Sequence, residues 1–128
     1  MTATIDTEHV VIDSSGWLEY ITSDTKAELF APYFVKATVV VPAIVLLEVR
    51  KVLLLRHAKH VADNFVSQAL AFGIIAITDK IALDAAALAI QHKLSTADAL
   101  IYSCAANRRA TLVTSDSHFK GLPDVLLI

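Results

Sequence analysis

The sequence predicts an α/β fold built on a parallel sheet, and three observations carry that expectation. Five short runs rich in β-branched and other apolar residues recur along the 128-residue chain, at His9–Asp13, Thr38–Val41, Ile74–Ile77, Ala110–Thr114 and Pro123–Ile128. The runs do not alternate apolar with polar residues, which is the mark of strands buried on both faces of a parallel sheet. Stretches with helical spacing, about 10–15 residues long, separate them as in βαβ units.

Taken in order, residues 1–7 are polar and patternless and read as a frayed end. Val10-Val11-Ile12 then stops abruptly at Asp13-Ser14-Ser15, and Gly16-Trp17-Leu18-Glu19-Tyr20 begins a helix for which Ser14 or Ser15 is the expected N-cap. A second short helix is expected over Thr25–Val35, with Pro32 breaking it or starting a turn. Pro42 closes the second strand and suits the first turn of a helix running to His57. Val61, Phe65, Val66, Ala69 and Leu70 recur at helical spacing up to Phe72, with Gly73 as the cap. Thr78 and Asp79 cap an Ala-rich helix over Lys80–His92, and Ser95 opens another that runs to Asn107. No linker, repeat or low-complexity segment divides the chain, so residues 1–128 read as a single domain.

Bulk composition narrows the function classes. No apolar run reaches the roughly 18 residues of a membrane span, and no basic–apolar–small signal opens the chain. Cys104 is the single cysteine, so no internal disulfide forms, which fits a reducing cytoplasm. Hydrophobic residues make up 55% and the mean hydropathy is +0.58, more than one small core absorbs, which points to an apolar face for a partner and to a dimer. The net charge of −2 leaves nucleic-acid binding to local patches.

Four acids stand out. Asp13 and Asp116 end apolar strands, and in a parallel sheet both then lie at the carboxyl edge, where ligands of open α/β sheets bind. Helix capping explains either one equally well. Glu48 sits among Ile44, Val52 and Leu55 on its helix, where a carboxylate must be paired, protonated or held by a cation. Arg50 and Lys51 are its local pairing candidates. Asp98, three residues after Ser95, satisfies a capping-box spacing, and its functional weight comes only from company. Four carboxylates at one edge repel one another unless divalent cations sit among them, and hard oxygen ligands suit Mg²⁺ or Mn²⁺. No His-x-x-x-His or cysteine pair favours zinc, and no histidine has a triad partner at a recognisable spacing.

At this point the sequence resembles a known family, the PIN-domain ribonucleases, and within it the VapC-type toxins of bacterial toxin–antitoxin pairs. The resemblance rests on Val11-Ile12-Asp13-Ser14-Ser15 with Trp17, Val41-Pro42-Ala43 leading to Glu48, Thr96-Ala97-Asp98-Ala99-Leu100-Ile101, and Leu112-Val113-Thr114-Ser115-Asp116 with Phe119. It implies a three-layer α/β/α domain whose five-stranded parallel sheet has the order 3-2-1-4-5. It further implies that Asp13, Glu48, Asp98 and Asp116 are catalytic. By the same resemblance Asp13, Asp98 and Asp116 would hold Mg²⁺ or Mn²⁺ for RNA phosphodiester hydrolysis, Asp116 matching the least constant of the family's acids. Ser14 and Thr114 match hydroxyls that support the first aspartate and the metal shell. The family's usual partners are RNA, a small protein antitoxin and a second copy of the chain.

Two rival readings remain. A receiver-like signalling domain would use Asp79 as phosphoacceptor and Thr114 as switch hydroxyl, although the last strand lacks a Lys followed by Pro. A catalytically silent PIN-like module would keep the fold for partner contacts. Asp79 and Asp84 read more simply as a cap and a solvent-facing residue, and Cys104 as a buried small apolar one. The basic run Arg50, Lys51, Arg56, His57, Lys59 and His60 is either a solvated helix end or a phosphate-tracking patch, and Arg108 and Arg109 also follow a helix C-terminus. Trp17, Tyr20, Tyr33 and Phe34 are either base-stacking residues or core and dimer surface.

Overall fold

The computed structural model describes residues 8–22 and 25–128, so the reading of residues 1–7 as frayed lies outside the described residues. Among the described residues six strands form, β1 (His9–Ile12), β2 (Thr38–Val39), β3 (Val41–Pro42), β4 (Ile74–Ile75), β5 (Thr111–Thr114) and β6 (Val125–Leu127). Every pairing is parallel. The main sheet has the order β2-β1-β5-β6, and β3 with β4 makes a second, two-stranded sheet.

The sheet therefore has four strands in its main body rather than the expected five. The cause lies in the chain over 38–42, which turns its hydrogen bonds from one neighbour to the other. Val40 N–H donates to the Val10 carbonyl at 3.0 Å, whereas Val41 N–H donates to the Gly73 carbonyl at 3.0 Å. Pro42 has no N–H to extend either ladder. The expected succession 3-2-1-4-5 is thus divided at Val40 between two sheets, and the third predicted strand shrinks to Ile74–Ile75, with Ile77 exposed.

Helices flank the sheet: α1 (Ser14–Ile21), α2 (Ala27–Lys36), α3 (Ala43–Arg56), α4 (Lys59–Phe72), α5 (Asp79–His92) and α6 (Thr96–Asn107). α1 packs on α2 and α3, α3 on α4, and α5 on α6. Two local expectations are corrected. The N-cap of α1 is Asp13 itself, whose carboxylate accepts the Gly16 N–H at 3.0 Å, while Ser14 and Ser15 are already helical. Pro32 lies inside α2 instead of breaking it. Phe30 and Phe34, one turn apart on that helix, are both buried, and their packing outweighs the backbone bond that Pro32 does not make.

Val10, Val11, Ile12, Leu112 and Val113 are fully buried, as strands covered on both faces should be. Trp17 packs edge-on to Phe34 and Phe65, with ring centroids 4.6 and 5.1 Å apart. Trp17 and Phe34 are therefore core residues with no face free for a base, and Tyr20 stacks on Phe34. No helix among the described residues is long and apolar enough to cross a membrane.

Candidate active site

The site grows from the pairing of β1 with β5. Ile12 lies in register with Val113, so Asp13 and Thr114 emerge side by side where the two central strands end. Asp13 is only 3% exposed. Thr114 Oγ1 donates to Asp13 Oδ2 at 2.6 Å, and Ser15 Oγ donates to both carboxylate oxygens at 2.9–3.0 Å. Thr114 Oγ1 in turn accepts the Asp116 N–H at 2.9 Å, which fixes the turn that carries the second strand-end acid.

α3 and α6 bring the other two carboxylates. Glu48 accepts from Ser14 Oγ at 2.7 Å, whereas Arg50 is bound to Asp63 at 3.0 Å and does not take the pairing role. The buried stripe of α3 is Val45, Val49 and Leu53, so Glu48 sits on its flank, half-buried, facing the site instead of the core. Asp98 stands in the first turn of α6, its N–H held by Ser95 Oγ at 3.2 Å. Ala99 on the same turn is buried, which lets α6 lie close to the sheet. Asp13, Glu48, Asp98 and Asp116 all line one cavity of about 280 Å³, with Ser14 and Ser15 on its wall. Leu18, Val52 and Ile101 make its apolar side. A larger hollow between α3 and α4, about 550 Å³, carries only the Arg50–Asp63 pair as charged lining.

Two site residues escape the sequence reading. Ser14 was expected to support Asp13, but it turns to Glu48, and Ser15 takes the Asp13 role. His118, two residues beyond Asp116, places Nδ1 3.1 Å from Asp116 Oδ1 and 3.9 Å from Asp98 Oδ2. One donor atom from each of Asp98, Asp116 and His118 lies within 4.8 Å of the others. The only signal for His118 in the sequence is its spacing from Asp116, and a 3₁₀ turn over Ser117–Phe119 is what folds it back. Asp79, the phosphoacceptor of the receiver-like reading, does not line the acidic cavity. It is exposed, accepts the Lys80 N–H and follows β4 outside the main sheet.

The electrostatics are those of a site short of positive charge. Burial pushes the Asp13 carboxyl up to about 6, against the lowering hydrogen bonds from Thr114, Gly16 and Ser15, and the Asp116 charge adds to the rise. Asp98 is also raised, by burial first and then by Asp116 and, more weakly, Glu48, while Ser95 and His118 act the other way. A donor set of clustered carboxylates, each raising its neighbour, fits a hard divalent cation such as Mg²⁺ or Mn²⁺.

A family model described as PIN domain matches residues 10–125. The chain belongs to the PIN domain family. No curated protein sequence matches the chain. Among solved structures, this PIN domain is similar to a toxin–antitoxin complex from Klebsiella pneumoniae, with TM-score 0.76 and 24% identity over 91% of this chain and 95% of that one. It is also similar to VapC20 of Mycobacterium tuberculosis, described as a sarcin–ricin loop cleaving toxin, with TM-score 0.75 and 17% identity over 91% and 96% of the two chains. VapBC2 from Rickettsia felis, bound to a DNA fragment from its promoter, has TM-score 0.72 and 21% identity over 94% and 97%.

Proposed function

We propose that this PIN domain is a Mg²⁺- or Mn²⁺-dependent ribonuclease, the toxin of a type II toxin–antitoxin pair, that hydrolyses RNA phosphodiester bonds. The observation that carries the reading is the convergence of Asp13, Glu48, Asp98 and Asp116 on one cavity at the carboxyl edge of the sheet. Asp13, Asp98 and Asp116 would hold the cation. Once bound, it supplies charge neutralisation among the acids and polarises water and phosphoryl oxygens. Thr114 and Ser15 hold the Asp13 carboxylate in one orientation, and Thr114 ties that orientation to the Asp116 turn. Ser14 occupies one oxygen of Glu48, leaving the second to accept a hydrogen from the attacking water. No nucleophilic side chain is required, so hydrolysis proceeds without a covalent intermediate.

The toxin role and a small protein antitoxin are supported by the likeness to toxin–antitoxin structures, and a homodimer by the apolar side chains left exposed on the helices. The test is cleavage of RNA by the purified chain with Mg²⁺ or Mn²⁺, with EDTA, and with Asp13→Asn and Asp98→Asn. Cleavage that needs the cation and falls at least about 100-fold in each variant supports the reading. Activity that survives both substitutions, or persists in EDTA, overturns it.

A further inference from the structure

We propose that His118 is a direct ligand of the site cation, and that its imidazole biases the site toward Mn²⁺ over Mg²⁺. The inference rests on the metal-site reading above and assigns a ligand outside the four acids. Three observations carry it. The first is spacing. Donor atoms around one cation at about 2.0–2.2 Å lie about 3 Å apart when adjacent and about 4.3 Å apart when opposite. His118 Nδ1 lies 3.1 Å from Asp116 Oδ1 and 3.9 Å from Asp98 Oδ2, and the three donors fall within 4.8 Å of one another. The two His118 distances fall within the span of a single coordination sphere.

The second observation is how the imidazole is held. Asp116 Oδ1 accepts the His118 backbone N–H at 2.9 Å, closing a two-residue turn that carries the ring back over the carboxylates. Phe119, the next residue, is fully buried and anchors that turn in the core. The position of His118 is therefore built into the fold although its side chain is 76% exposed. The third is the chemistry of the donor. Imidazole nitrogen binds first-row transition ions, Mn²⁺ the most weakly of them, whereas Mg²⁺ takes oxygen and retains water, so a nitrogen donor still separates Mn²⁺ from Mg²⁺. One nitrogen among carboxylates shifts preference without excluding Mg²⁺. The competing account is a plain ion pair between His118 and the two aspartates, which predicts no contact between nitrogen and metal.

The experiment is Mn²⁺ and Mg²⁺ titration of the EDTA-stripped full chain by calorimetry, with electron spin-echo spectroscopy of the Mn²⁺-loaded protein. Wild type, His118→Ala, His118→Gln and the double variant Asp98→Asn/Asp116→Asn are compared. The proposal expects ¹⁴N modulation from a directly bound imidazole in the wild type and its loss in both His118 variants. It also expects Mn²⁺ affinity to fall about 10-fold or more while Mg²⁺ affinity changes less than about 3-fold. Mn²⁺ that binds the wild type without imidazole modulation, or with equal affinity in both His118 variants, overturns the ligand role and leaves the metal site standing. Absence of Mn²⁺ binding to the wild type, or binding that survives the double aspartate substitution, overturns the metal site and the ligand role together.

Discussion

Asp13 carries the site's largest electrostatic tension. Its folded-state value of about 6 lies above the ordinary 3.8 because burial outweighs three donors. The folded chain therefore holds this proton more tightly than the unfolded one does. The resulting stabilisation is fully present below about 3.8 and is lost as pH rises through about 6. A shift of this size corresponds to about 3 kcal/mol as an order of magnitude. In the metal-free protein, thermal denaturation should show a higher Tm at pH 5 than at pH 7.5. Asp13→Asn should raise the Tm at pH 7.5 and flatten that slope, since Asn caps a helix as well as Asp does. A Tm that is flat or rises across this interval in the wild type contradicts the assignment. Asp98, raised in the same direction, adds to the effect. Asp13, Asp116 and Glu48 drew attention in the sequence as carboxylates at the ends of apolar strands or beside an apolar stripe, although capping explained the strand-end pair equally well, and Asp98 was singled out only by their company. The partners of these acids were not legible there. Ser14 and Ser15 are adjacent hydroxyls, and only the entry angle of α1 sends one to Glu48 and the other to Asp13.

At the scale of elements, β1, α1 and α2 approach closely at Gly16, where α1 leaves β1. A Cβ on Gly16 would lie 2.7 Å from Ile12 Cγ2 and 2.7 Å from Phe30 Cε1, and both side chains are fully buried. Neither can move away, so Gly16→Ala should destabilise the fold by about 1–3 kcal/mol in urea titration. That loss exceeds the gain of up to about 1 kcal/mol that Ala brings to a helix interior. An unchanged midpoint would mean that α1 and α2 separate more readily than the packing suggests. The α5–α6 pair is held differently. Ser103, fully buried, donates to the Ile81 carbonyl at 2.9 Å. Ser103→Ala removes this second bond to a carbonyl that the α5 backbone also engages, for an expected loss of about 0.5–1.5 kcal/mol in the same assay. Helices were readable because caps such as Ser95, Thr78 and Gly73 act locally. Pro32 misled because its local penalty is overruled by the burial of Phe30 and Phe34, which no window around Pro32 reveals.

The whole molecule follows from strands that read as buried on both faces, and that pattern was enough to predict parallel pairing. Where the sheet divides was not legible. Val40 and Val41 are chemically alike, yet one bonds toward β1 and the other toward β4. The same apolar richness that fills the sheet also reaches the surface. Val35 on α2, Leu55 on α3, and Leu83 and Ile90 on α5 are each more than 70% exposed. Scattered apolar side chains need no explanation, but Leu83 and Ile90 stand two turns apart on one face of α5 with exposed Ala86 and Ala87 between them. Covering this stripe would remove apolar surface from water at about 25 cal/mol per Å², and a second copy would supply a matching stripe by two-fold symmetry. At micromolar concentration, light scattering should return the mass of two 13.8 kDa chains. The double substitution Leu83→Glu/Ile90→Glu should return one, with an unchanged far-ultraviolet circular dichroism spectrum, because neither side chain belongs to the core. A dimer that persists in the double variant moves the contact away from α5, and a monomeric wild type removes the dimer.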